Sequence, residues 1–140
     1  MNDRGQVLAE FAVASLAAIT ILLGIIDVAR AVYTYHLVAE DARVATRYAI
    51  VNAVAACAGG SPDPLQAQVS NQSWGMTPSA LTVTTTCPGG NTGCTSAAAP
   101  FNGAGCLVTV TVAYSFHFIT PLISIVVLPM SSQSQMVISQ

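Results

Sequence analysis

The sequence predicts an α+β chain: one long N-terminal helix, its inner half transmembrane and its outer half amphipathic, packed on a small antiparallel β-sheet. Three observations carry this. Residues 7–26 form a run of 20 residues with one ionisable group, Glu10. Apolar and small residues at alternating spacings of three and four continue beyond that run, which is helical periodicity. After residue 79 the period changes to two and the composition turns to Val and Thr, which is strand periodicity.

The helix comes first. At about 1.5 Å of rise per residue, a helix of the length of residues 7–26 spans a hydrocarbon core of about 30 Å. A cleaved secretory signal has a shorter apolar region of about 7–15 residues, whereas this one passes straight into further helix. Ile25, Val28, Val32, Tyr35, Ala39, Ala42, Thr46 and Ala49 are expected to share one helical face. The face turns from large residues to alanine, so another element can approach its later turns. The helix is expected over roughly residues 6–56, ended by AGGSPDP at 58–64.

LQAQVSNQSW, residues 65–74, is a candidate short helix before Pro78. Residues 80–87 and 106–118 then alternate apolar with small or Thr side chains and are expected to pair as strands. Leu81, Val83, Thr85 and Cys87 share one face, as do Cys106, Val108, Val110, Val112, Tyr114, Phe116 and Phe118. Residues 120–129 are bracketed by prolines and too short to span a bilayer, and residues 132–139 are a candidate last strand. The expected organisation is therefore a membrane segment at 6–26, its extracytoplasmic helical continuation at 27–57, a loop or linker at 58–79 and a disulfide-stapled antiparallel β region at 80–140.

Composition bounds the function. Apolar residues make up 53% and charged residues only 7%, against about 25% charged in ordinary soluble domains. The four basic residues are all arginine, nine of the ten charges lie in the first 47 residues, and the net charge is -2. No basic patch of the kind that phosphate backbones need is present, so nucleic acid is not an expected partner. Counting arginines across the span favours a cytoplasmic C-terminus. The four cysteines argue the other way: Cys57, Cys87, Cys94 and Cys106 all follow the span in Gly/Ser/Thr-rich sequence without adjacent His. An even count in that setting reads as disulfides in an oxidising compartment. Four cysteines allow three connectivities; the phase of the strands makes Cys87–Cys106 plausible, leaving Cys57 for Cys94.

No GxSxG, HExxH, GxGxxG or phosphate-binding glycine loop occurs, so no catalytic residue, metal site or cofactor is expected. His36 and His117 fall on different elements and read as solvated residues; Trp74 and the methionines read as packing. Asp27 and Arg30, and Glu40 and Arg43, are spaced i, i+3 on the helix. The second pair reads as an exposed ion pair of little worth, while the first, at the membrane boundary, reads as either that or an anchoring or subunit contact. Glu10 is the conspicuous group, because a carboxylate in a membrane helix needs a positive partner or water. Arg4 lies six positions away and nearly half a turn off its face.

MNDRG followed by QVLAEF, with Glu10 five residues after Gly5 and aromatic Phe11 next, resembles the processing site of type IV prepilins, which a peptidase cuts just after the glycine. Residues 22–51 resemble the TadE-like family of the Tad (Flp, type IVc) pilus system. The match lies in GII-acid-xxR-A-xYxY and A-x-x-A-R-x-x-x-RYA, which contain Asp27, Arg30, Arg43 and Arg47. Family sites often carry Tyr where Phe11 keeps the ring alone. The resemblance implies a pilin-like fold and a minor pilin or pseudopilin with residues 1–5 as leader, Gly5, Gln6, Glu10 and Phe11 at the processing site, and Glu10, Asp27, Arg30, Arg43 and Arg47 in assembly contacts. Its implied partners are a prepilin peptidase, other pilins or pseudopilins, the inner-membrane assembly platform and membrane lipid. The implied location is the bacterial inner membrane, single-pass, with an extracytoplasmic C-terminal region and incorporation into a surface pilus. The alternatives are a major structural pilin and an adhesin displayed on a pilus, the latter suggested by the nearly uncharged polar sequence after Arg47.

Overall fold

The computed structural model describes residues 3–52, 64–87, 105–120 and 125–138. Helix α1 occupies Asp3–Val51, 49 residues, or about 74 Å at the α-helical rise. It contains no proline and only two glycines, Gly5 and Gly24. Its first half stands clear of the rest of the chain, with Leu8, Phe11, Leu16 and Ile21 all exposed. By length and composition this helix can cross a membrane. The hydroxyls within the apolar run are satisfied by the helix itself: Ser15 donates to the Ala12 carbonyl at 2.9 Å and Thr20 to the Leu16 carbonyl at 2.8 Å. That is the cheapest solution where no water is at hand.

From Asp27 onward one side of α1 packs on a three-stranded antiparallel sheet of order β1-β2-β3. The strands are β1 (Leu81–Thr86), β2 (Leu107–His117) and β3 (Val127–Val137). Leu81 faces Tyr114 and Thr86 faces Thr109; Leu107 faces Val137 and His117 faces Val127. The period-two pattern divides β2 as the sequence predicts, with Val108, Val110, Val112, Tyr114 and Phe116 buried on the helix side. Ala42, Ala45 and Ala49 of α1 are fully buried against this sheet, their short side chains letting the two backbones approach. Thr46, also fully buried, donates to Ala42 O and reaches Ser134 O of β3 at 3.4 Å.

A short helix, α2 (Pro64–Gln72), places Leu65 and Val69 in the same core. Beyond a left-handed Gly75 and a 3₁₀ turn at Pro78–Ala80 the chain enters β1. Gln66 of α2 closes the outer edge of that strand. Its amide nitrogen donates to Leu81 O at 2.7 Å and its amide oxygen accepts from Val83 N at 2.8 Å, as a residue of a neighbouring strand would.

Three expectations are corrected. The seam of α1 runs through Asp27, Thr34, Val38, Asp41, Ala42, Ala45 and Ala49, whereas Val28, Val32 and Tyr35 are exposed. The anticipated face is right from Ala42 onward and turned away from the sheet below it. The last strand begins at Val127 and contains Pro129, five residues earlier than anticipated. The hydrogen bond from Ile138 N to Cys106 O sets the ladder phase, so Pro129 turns its nitrogen away from β2, the place where a strand tolerates proline. Trp74 is not packing: it is 82% exposed. The helix end anticipated near residue 56, the terminator at 58–64, Cys57 and Cys94 lie largely or wholly outside the described residues.

Candidate functional site

Two clusters on α1 carry the residues singled out by sequence. The first is at the N-terminal end, where helical spacing sets Gln6 and Glu10 one turn apart on one face. Gln6 Nε2 donates to Glu10 Oε1 at 3.2 Å. Gly5 is exposed and Phe11 projects fully from the helix. A Cβ added at Gly5 would meet nothing within 4 Å, so its small size is not needed by the fold around it. Glu10 shares a shallow apolar depression with Ala9, Val13 and Ala14. Among the described residues no cation pairs with Glu10, and its hydrogen-bond partner is the neutral Gln6 amide.

The second cluster forms where α1 leaves the apolar run. Asp27 is 2% exposed and accepts hydrogen bonds from Ile119 N at 3.2 Å, from Thr120 N at 2.8 Å and from the Thr120 hydroxyl. Arg30 Nη1 lies 3.4 Å from the same carboxylate and its guanidinium sits 5.4 Å from the centroid of the Phe116 ring. These contacts favour the charged form. The Thr120 hydroxyl and amide, then the Ile119 amide and Arg30, hold Asp27 below the ordinary carboxylate value of 3.8 against the opposing effect of burial. Asp27 is thus engaged within the chain, tying the end of β2 to the helix. Arg30 remains partly exposed beside it.

Further along α1, Arg43 and Glu40 form an exposed pair at 3.7 Å, and Arg47 is exposed. The structure does not gather Arg43 or Arg47 with Asp27 or Glu10. Sequence reasoning missed a third feature, the buried Asp41. Its carboxylate is 2.6 Å from Ser73 Oγ, and that hydroxyl is also 2.7 Å from Val69 O. Burial pushes the Asp41 carboxyl up; the Ser73 hydrogen bond opposes this and nearby Glu40 adds to it. Nothing local marked Asp41, because its partner lies 32 residues on. Thr120 was missed for the same reason: its two contributions to the node, an amide and a short side-chain hydroxyl, come from 93 residues further along the chain.

Cys87 and Cys106 are both disulfide-bonded, and no described cysteine is free. Among the described residues no group of three His, Cys, Asp or Glu side chains could hold a metal ion. His36 and His117 are exposed and lie on different elements.

No curated protein and no solved structure matches the chain. A family model does match, over residues 5–47, the stretch of α1 that contains Gly5, Glu10, the apolar run and the Asp27–Arg30 pair. Over that stretch of its long helix, about a third of its length, the chain is similar to the TadE-like protein family.

Proposed function

We propose that the chain is a minor pilin or pseudopilin of a Tad-type (type IVc) pilus, cut after Gly5 by a prepilin peptidase and assembled by bundling of α1 with the helices of other pilins. It acts as an assembly protein and carries no catalytic centre. The observation that supports this most is the coincidence, on one helix similar to the TadE-like family, of an exposed apolar run and a carboxylate, Glu10, whose partner among the described residues is neutral. Cleavage after Gly5 would make Gln6 the terminus, with an α-amine whose ordinary pKa of about 7.7–8.0 keeps it largely cationic at neutral pH. Glu10 would then meet that amine, on its own helix or on a neighbouring subunit. A pair in low dielectric is costly to break from one side, which makes it a device for register. Ala9, Ala12, Ala14, Ala17 and Ala18 would allow close approach of neighbouring helices. The chain would be single-pass in the inner membrane, with residues 27–140 extracytoplasmic, and would engage the assembly platform there.

A second reading, an adhesin displayed on the pilus, is favoured by one surface. The sheet face turned from α1 presents Thr82, Thr84 and Thr86 of β1 and Ser131, Gln133 and Gln135 of β3, all exposed and uncharged.

Co-expression with a prepilin peptidase tests the first reading. N-terminal sequencing should find a product beginning at Gln6, and Gly5→Ala should block it. Since the added methyl meets nothing in the chain, blockage reports on the peptidase and not on folding. Mature protein that retains Met1 would refute the processing step.

A further inference from the structure

The described segments beyond residue 104, 105–120 and 125–138, contain no Asp, Glu, Lys or Arg, and their apolar side chains are not all inside. At the end of the β2–β3 pair nearest the apolar run, Ile119, Ile125, Val126, Val127 and Leu128 are exposed, Ile125 at 93% and Ile119 at 63%. An apolar lip of this kind on a protein surface marks an interaction site. Its height along α1 is fixed, because Ile119 and Thr120 donate to Asp27, which directly follows Ile26, the last residue of the apolar run.

We infer that this lip is a second membrane contact, lying in the headgroup–acyl boundary of the same leaflet that α1 leaves. This rests on the reading of residues 7–26 as a membrane span. Asp27 is one residue, about 1.5 Å of rise, past the run, and the polar zone outside a hydrocarbon core is only about 5–8 Å deep on each side. Side chains tied to Asp27 therefore cannot stand clear of the lipid. The groups around the lip match that boundary. Arg30 keeps part of its guanidinium in solvent, within reach of lipid phosphates, while the one acid at this level, Asp27, is buried. The two contacts together would fix the tilt of the sheet over the bilayer, where a lone helix would leave it free to swing.

Single-tryptophan variants of the full chain in phosphatidylcholine nanodiscs test this, in a Trp74→Phe background and with lipids brominated either near the glycerol or deep in the acyl chain. Ile125→Trp should emit to the blue and be quenched more by the shallow than by the deep label. Leu16→Trp, mid-span, should be quenched most by the deep label, and Thr84→Trp, on the outward sheet face, by neither. Quenching at residue 16 with none at residue 125 overturns the inference and leaves the span standing; blue-shifted but unquenched emission at residue 125 also overturns it and assigns the lip to contact with a second copy. Absence of quenching at both positions removes the membrane reading itself and this inference with it.

Discussion

Thr120 closes on Asp27 twice, through its amide and through its hydroxyl, across 93 residues of sequence. The end of a strand pair is thereby held at one turn of a helix by a carboxylate with its acceptor sites nearly filled. An Asn at this position keeps the shape but offers one acceptor oxygen and turns an N–H₂ toward a site whose main-chain N–H groups and Arg30 can only donate, leaving the Thr120 hydroxyl as the one partner able to accept. Asp27→Asn is therefore expected to lower the Tm by several degrees in detergent micelles, followed by near-UV circular dichroism. The pH dependence has a definite sign. A carboxyl held below its ordinary value stabilises the fold above about pH 3.8, and that contribution fades as pH falls through the lowered folded value. The acid limb of the wild-type profile should be flatter in Asp27→Asn.

Gln66 gives a test that leaves α1 untouched. Its side-chain amide makes two hydrogen bonds to the edge of β1, so Gln66→Ala strands a carbonyl and an N–H and should cost about 1–3 kcal/mol, measured by denaturant titration. Gln66→Glu separates the two bonds. An ionised carboxylate still accepts from Val83 but opposes the Leu81 carbonyl, so this variant should be weak at neutral pH. It should recover as the pH is lowered, because the protonated acid again donates to Leu81.

How far the sequence discloses these features follows from whether their partners are local. The helix and the paired faces of β1 and β2 were legible because periodicity is a property of one segment: Val108, Val110 and Val112 point inward because they alternate. Which face of α1 meets the sheet was not legible below Ala42. Hydropathy chose Val28, Val32 and Tyr35, yet the sheet needed an acceptor for the Ile119 and Thr120 amides and so took Asp27 and Thr34 into the seam. Pro129 hid the start of β3, since proline opposes a strand unless its nitrogen faces outward, and that depends on ladder phase. Gln66 gave no signal at all, because an amide that imitates a strand residue is recognised only beside the strand it completes. In the N-terminal cluster the reverse holds: Gln6 and Glu10 are one turn apart, and their contact follows from spacing.

The cysteine connectivity illustrates the same limit. Cys87 and Cys106 are both oxidised, but the register sets Thr86 opposite Thr109. Continued by one residue, it places Cys87 opposite Val108 and two positions from Cys106, a diagonal of about 7–8 Å between Cα atoms. Disulfides usually need about 4.4–6.8 Å. Peptide mapping under non-reducing conditions is therefore expected to find these two cysteines in separate disulfides and to find no free thiol.

Asp41 should respond to pH in the opposite sense to Asp27. Ser73 has one hydroxyl proton and two acceptors within reach, Asp41 Oδ2 and Val69 O. When Asp41 is protonated the conflict disappears, since the acid donates to Ser73 Oγ and Ser73 donates to Val69. A carboxyl raised above its ordinary 3.8 destabilises the fold progressively as pH rises from that value through the raised one. Asp41→Asn, neutral throughout, should match or exceed the wild-type Tm near pH 7 and lose that part of the slope below it. A marked loss of stability in Asp41→Asn at neutral pH would mean that the ionised carboxylate is favoured in the fold.

The assembly role of Glu10 can be separated from its hydrogen bonding. In the chain that retains Gly5, Glu10 accepts from the Gln6 side chain, a contact that Glu10→Gln preserves through its own amide oxygen. What the exchange removes is charge. If the carboxylate exists to meet the amine exposed by cleavage, Glu10→Gln should be cut at Gly5 and inserted normally, because the span is no less apolar and the bond after Gly5 is intact. Recovery in sheared filaments should then fall roughly tenfold, the factor that about 1.4 kcal/mol of lost pairing produces. Blotting membrane and sheared fractions from the same cells measures both steps. Normal recovery would show that a neutral hydrogen bond suffices and that register is set elsewhere along α1. Failure of cleavage would instead place Glu10 in contact with the peptidase.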